Sequence, residues 1–205
     1  RRIDAEFDAQ ELQLLCPHVA SSDINATSMP RCWSTIAWSY ATLQVCDRAL
    51  FGKIAKLSKA HLCAFKPFEI ANLLWAFAKT RIHSDELVRA VEFQVPALLP
   101  QFSPVSLSTI AWACATLQQR PSTNLLTLLS SEFVSHLDAA GPQEISNMAW
   151  ALATAQNVRA SIFNELGDAA AAKLHAFNIQ ELANLAWAFS RGKICHQRLL
   201  DAYVV

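Results

Sequence analysis

Glycine is scarce, at four in 205 residues. An all-β chain needs many turn glycines, so the shortage weighs against strands and, beside abundant Ala and Leu, favours helices. Net charge is absent too. Seventeen Lys and Arg balance seventeen Asp and Glu, which excludes a uniformly basic binder and confines any polyanion site to a local patch. No apolar run approaches the ~18 residues that span a bilayer, so no membrane span is expected. HExxH, GxGxxG, the P-loop and GxSxG are all missing, and the six His (18, 61, 83, 136, 175 and 196) are scattered. No catalytic set assembles from them, and the segment does not read as an enzyme.

The six Cys stand at 16, 32, 46, 63, 114 and 195, with no CxxC and no zinc-finger spacing to a His. No metal or cofactor is expected. Most of the Cys fall inside apolar helical patterns. Reduced, buried thiols in a reducing compartment are the expectation. The chain opens on Arg and shows no signal or transit segment. A processed protein or a piece of a longer one would look the same.

What the chain has is repetition. "MPRCWSTIAWSYATLQ", "KPFEIANLLWAFAKTR", "SPVSLSTIAWACATLQQ", "PQEISNMAWALATAQ" and "FNIQELANLAWAFSRGK" follow one another along it. Their anchors Trp38, Trp75, Trp112, Trp150 and Trp187 are spaced by 37, 37, 38 and 37 residues, a period that means stacked units. Pro30, Pro67, Pro104 and Pro142 each stand eight residues before a Trp, where the fifth copy has Ile179. Pro suits a first helical turn, because its missing N–H is an orphan donor there anyway. Ser103 is placed to cap, and Asn178 with Glu181 has the spacing of a capping box. A first helix of about four turns, helix A, is therefore expected from each Pro.

Its apolar residues follow helical periodicity, as in Ile70, Leu73, Leu74 and Phe77. Small residues recur four before and three after each Trp: Ser34/Ala41, Ala71/Ala78, Ser108/Ala115, Ser146/Ala153 and Ala183/Ser190. They let a neighbouring helix approach closely. Each Trp is then expected to be a buried wedge between units rather than a ligand platform. A second helix, helix B, is expected at 47–62, 84–99, 121–137, 160–175 and 195–205, with Ser84 opening the second and Pro96 ending or kinking it. Residues 1–28 read as a partial N-terminal helical unit, and 29–205 as about five helix pairs, the last truncated. One such pair cannot bury its apolar face alone, so the expected fold is all-α: a continuous α-solenoid, right-handed by analogy with other helix-pair repeats. The stop at "LLDAYVV" inside a B helix leads to the expectation that further repeats or a protein partner cover that end.

The copies resemble the octotricopeptide repeat, a helix-pair repeat of ~38 residues. Its signature runs roughly Ser-Pro-Gln-Asp-Leu-Ala-Asn-Leu-Leu-Trp-Ala-Leu-Ala-Lys. "PFEIANLLWAFAK" and "IQELANLAWAFSR" match it closely; "PQEISNMAWALAT" and "PVSLSTIAWACAT" place Ser or Thr where the family has Ala and Asn. The resemblance covers residues ~29–193. The array is also similar to those that precede RAP domains in organellar proteins, although no such domain is visible. The resemblance implies single-stranded RNA as the partner, in chloroplast or mitochondrion, with a role in transcript stabilisation, processing or translation.

Comparing the repeats with one another separates scaffold from ligand contact. Counting from each Trp, position −3 is always small and polar (Thr35, Asn72, Thr109, Asn147, Asn184). That constancy suggests a hydrogen bond to the neighbouring unit. Three positions vary more. Position −7 carries Arg31, Phe68, Val105, Gln143 and Gln180; +4 carries Thr42, Lys79, Thr116, Thr154 and Arg191; +6 carries Gln44, Arg81, Gln118, Gln156 and Lys193. Readers of one base per repeat use two or three side chains per unit, so the polar members of these rows are the RNA-contact candidates. The same residues also suit ordinary solvated helix ends. A second, basic patch comprises Arg48, Lys53, Lys56, Lys59 and Lys66, suited either to phosphates or to a solvated face. The competing function is architectural. A neutral, 53% hydrophobic solenoid also suits a scaffold subunit of an organellar ribosome or a photosynthetic or respiratory complex.

Overall fold

The computed structural model describes residues 30–117 and 123–204. The expected N-terminal unit and Gln118 lie outside them. The described residues form ten α-helices and no strand. The A helices are α1 (Pro30–Thr42), α3 (Pro67–Thr80), α5 (Pro104–Thr116), α7 (Pro142–Thr154) and α9 (Ile179–Gly192). The B helices are α2 (Arg48–Ala60), α4 (Asp85–Leu98), α6 (Thr123–Ser135), α8 (Ala160–Ala172) and α10 (Gln197–Val204). Each A helix packs along the A helices before and after it, and the B helices form a second layer in looser mutual contact. The fold is an all-α stack of helix pairs. No helix among the described residues is long and apolar enough to cross a membrane.

The expected start signals act as drawn. Pro occupies the first turn of α3, α5 and α7. Ser103 Oγ accepts from Ser106 N at 3.3 Å. Asn178 and Glu181 form a reciprocal box, each backbone N–H donating to the other's side chain at 2.9 Å. Glu69 and Glu144 supply half of the same device, accepting from the backbone N–H of Lys66 and Gly141. Ser84 caps α4. Pro96 does not stop α4, which runs on to Leu98; a 3₁₀ turn over Leu99–Gln101 follows. Near the end of the helix Pro forfeits only one bond of the ladder, so the helix tolerates it. Similar 3₁₀ turns follow α2, α6 and α8, which is why these B helices end earlier than the sequence suggests.

Burial follows the repeat. Positions −5, −2 and +2 face the B layer: Ile70, Leu107 and Ile145, then Leu73, Ile110 and Met148, are all fully buried. At +2, Phe77 meets Phe51 of the preceding B helix edge to face at 5.0 Å, and Phe189 meets Phe163 the same way at 5.2 Å. The small pairs are buried in the first four units, as their role in close packing requires. In α9 the same positions, Ala183 and Ser190, are exposed.

Three expectations are overturned. The repeated Trp are not fully buried: Trp38 and Trp187 are 43% and 45% exposed, while Trp75, Trp112 and Trp150 are partly buried and still pack against the core. At about 100° per residue the core positions −5, −2 and +2 cluster roughly opposite the Trp. The Trp therefore lies on the outer side of the A layer, where Trp75, Trp112 and Trp150 still rest against the edge of the core. Its ring reaches the next one instead: Trp38 and Trp75 stand 6.3 Å apart, Trp150 and Trp187 6.2 Å, both tilted by 32°. The −3 row does not tie units together either. Among the described residues none of its side chains bonds to another unit; Asn184 accepts from Gln180 in its own helix at 3.1 Å. It shares the open face with the Trp.

The cysteines differ too. Cys16 lies outside the described residues; of the other five, Cys32, Cys46, Cys63 and Cys195 are exposed, because they fall on helix backs and connecting turns rather than on the core positions, and Cys114, at +2, is buried. Burial pushes the Cys114 thiol up to about 12. A maleimide at pH 8.5 is therefore expected to leave Cys114 unlabelled in the folded protein and to label it once urea is added; mass spectrometry of the peptides reads both states.

Candidate nucleic-acid interface

Positions −7, −3, 0 and +4 follow helical spacing and fall within about 60° of one another. On every A helix they form one stripe, with the Trp at its middle. All five −7 residues are exposed: Arg31, Phe68, Val105, Gln143 and Gln180. At +4, Thr42, Lys79 and Arg191 are exposed, while Thr116 and Thr154 are half-buried with their hydroxyls covered and without a partner. Thr42 donates back to Trp38 O at 2.8 Å.

Position +6 has its own backbone geometry. Gln44, Arg81, Gln156 and Lys193 all have positive φ, from 53° to 59°. Each ends its A helix in the same pair of bonds. Gln44 N donates to Ala41 O and Val45 N to Tyr40 O; Arg81 N donates to Ala78 O and Ile82 N to Phe77 O; the last two units repeat the pattern. This is the Schellman turn, which normally takes Gly or Asn. Long side chains there carry a cost of about 1–2 kcal/mol each. A helix end that needed only the turn would use Gly, so four long polar side chains in four such turns suggest a use for the side chain itself. Gln156→Gly is expected to raise stability by about 0.5–1 kcal/mol, the relief of αL strain less the entropy gained by the unfolded chain. Urea unfolding checks it, and a lower midpoint would mean that Gln156 makes a structural bond.

The structure gathers some candidates and separates others. Gln44, Lys79, Arg81 and Thr116, from three successive units, line one hollow of about 460 Å³ beside Trp112. Thr154, Gln156, Arg191 and Lys193 belong to the last two units, at the other end of the stack. No family model matches the chain, and no curated protein matches it in sequence. The charge on the stripe is therefore the guide. Across −7, −3, +4 and +6 there are five cations, Arg31, Lys79, Arg81, Arg191 and Lys193, and no acid. The glutamates nearby, Glu69, Glu144 and Glu181, are turned into their capping bonds. The cations fall in the first, second and fifth units; the third and fourth contribute neutral polar groups and Val105.

The basic patch divides. Arg48, Lys56 and Lys59 line a cleft of about 930 Å³ between α2 and α4, which Arg81 joins from the end of α3. Lys53 and Lys66 are exposed outside it. Lys59 Nζ pairs with Glu86 at 2.7 Å, and that bond lowers the Glu86 carboxyl below its ordinary range. Among the described residues no group of three or more His, Cys, Asp or Glu is placed to hold a metal ion.

Proposed function

We propose that this chain is an RNA-binding solenoid of the octotricopeptide type, which lays single-stranded RNA across the A-helix stripe inside a chloroplast or mitochondrion. One observation carries the reading: a row of partly exposed Trp, flanked by amides, hydroxyls and five cations, with no acid among them. Aromatic faces with basic and amide groups beside them are what unstacked bases and their phosphates bind. The overall neutrality of the chain does not oppose it, because the stripe is the local patch that neutrality demanded. No chemical step is assigned to these residues; holding the strand is the activity.

Binding of the protein to a mixed-sequence 20-nucleotide RNA across a salt series tests the reading. The expected result is an affinity that falls linearly on logarithmic axes as salt rises, since each phosphate that meets a cation releases counterions. No binding at moderate salt would move the weight to the architectural reading.

A further inference from the structure

Among the described residues the junctions between successive B helices are filled differently, and the one between α2 and α4 is left open. Between α6 and α8, Arg159 lies across the gap: its Nη2 donates to Thr127 O at 3.3 Å, Ser130 Oγ at 2.8 Å and Ser131 Oγ at 3.3 Å. Between α8 and α10, His196 fills the same gap. It packs on Gly167, where an added Cβ would come within 2.7 Å of its ring, and stands 3.7 Å from Asp168. Arg159 and His196 both stand nine residues after their Trp. The residue at that place in the second unit is Ser84. Opposite it on α2 are Gly52 and Ala55, where α6 has Thr127 and Ser130. Small residues on both sides leave the junction unplugged, and a Cβ added to Gly52 would meet nothing within 4 Å. The result is the cleft of about 930 Å³.

Its rim is cationic. Arg48, Lys56 and Arg81 line it without an ion pair among the described residues, and His83 stands beside them. The acid on the rim, Glu86, is held by Lys59. Gly52, Ala55, Ala60 and Ile82 give an apolar wall. Two guanidinium forks and an ammonium around one opening exceed what a single carboxylate needs and suit a phosphate, whose oxygens accept from arginine in pairs. The volume exceeds a bare phosphate and leaves room for the nucleoside that carries it.

We propose that the cleft between α2 and α4 is a nucleotide-phosphate site, distinct from the Trp stripe and joined to it at Arg81, which lines both the cleft and the hollow beside Trp112. The phosphate comes either from an RNA strand that turns over this edge or from a free nucleotide; the strand alternative rests on the RNA reading. The test titrates uridine 5′-monophosphate into the isotope-labelled protein and follows the backbone amides by NMR. Saturable shifts at Gly52, Ala55 and Ser84 are expected, and uridine without phosphate should produce none. Ser84→Arg copies the plug that Arg159 provides. It adds a positive charge, yet should weaken binding about tenfold or more by filling the gap. Gly52→Thr, which copies Thr127, narrows the cleft independently and should weaken binding even if Ser84→Arg is poorly folded. No shift at millimolar nucleotide, or plugged variants that bind like the parent, would overturn the site.

An RNA with hydroxyl ends that displaces the nucleotide identifies the strand as the source; failure to displace it identifies a free or terminal phosphate. RNA that binds in the salt series while the nucleotide does not would leave the stripe standing and remove the cleft. The reverse pattern would remove the stripe alone.

Discussion

Phe77→Ala is expected to destabilise the protein by about 3–5 kcal/mol, the cost of truncating a fully buried Phe. Trp75→Ala, two residues earlier and with the larger side chain, should cost less, about 2 kcal/mol, since a partly exposed ring at the edge of the core forfeits less transfer energy and leaves no closed cavity. The inversion follows from the helical phase. Phe77 is 1% exposed and stands edge to face with Phe51 of the preceding unit. It therefore joins two units as well as two layers, and in a stack each unit is held by its neighbours. Trp75 lies on the opposite side of the same helix, over the A layer. Urea unfolding of the two variants reads the difference. A Trp75→Ala loss as large as that of Phe77→Ala would put the Trp back in the core and remove the stripe.

The second large effect concerns binding. Replacing Lys79, Arg81, Arg191 and Lys193 together by Ala is expected to reduce the slope of log affinity against log salt by about 3, at roughly 0.7 for each single-strand phosphate that no longer meets a cation. Affinity at low salt should fall by about a hundredfold, with melting behaviour little changed. These four carry exposed side chains in the second and fifth units. Three interhelix steps of about 8–10 Å separate the two pairs, so a strand that reaches both must run across the intervening Trp112 and Trp150. An unchanged slope would place the RNA, or any other polyanion, elsewhere on the molecule. Ala at Arg81 and Lys193 retains the strained φ, so the change tests the side chains and not the turn.

The period, the helix starts and the two-layer stack were legible because each rests on a local cause. Pro at the first turn, Ser103 or Asn178 before it, and Ile70, Leu73, Leu74 and Phe77 at helical spacing all act within one helix. The candidate rows were legible for the same reason, since repeats in one register can be compared position by position. The burial of the Trp was read as deeper than it is, although the signal was present. Ile70, Leu73 and Phe77 point one way, and Trp75 falls on the far side with Asn72 and Lys79. Composition misled here, because size and apolarity suggested a core residue. The same habit misplaced the cysteines, which among the described residues occupy a core position only at Cys114. The left-handed turns at Gln44, Arg81, Gln156 and Lys193 gave no signal, because Gly and Asn mark such turns and neither is used. The open cleft depends on Ser84 meeting Gly52 and Ala55 across a junction between units, which no single repeat shows.

The most direct measurement is Trp emission during an RNA titration. Trp38, Trp75, Trp112, Trp150 and Trp187 share the stripe, whereas the sixth, Trp33, is fully buried against His61 and Phe65. A strand laid across the stripe would stack its bases against the exposed rings and quench them. The expected result is a saturable loss of emission with the same midpoint as binding measured on labelled RNA, and with the same salt dependence. RNA that binds without changing the emission would contradict the interface.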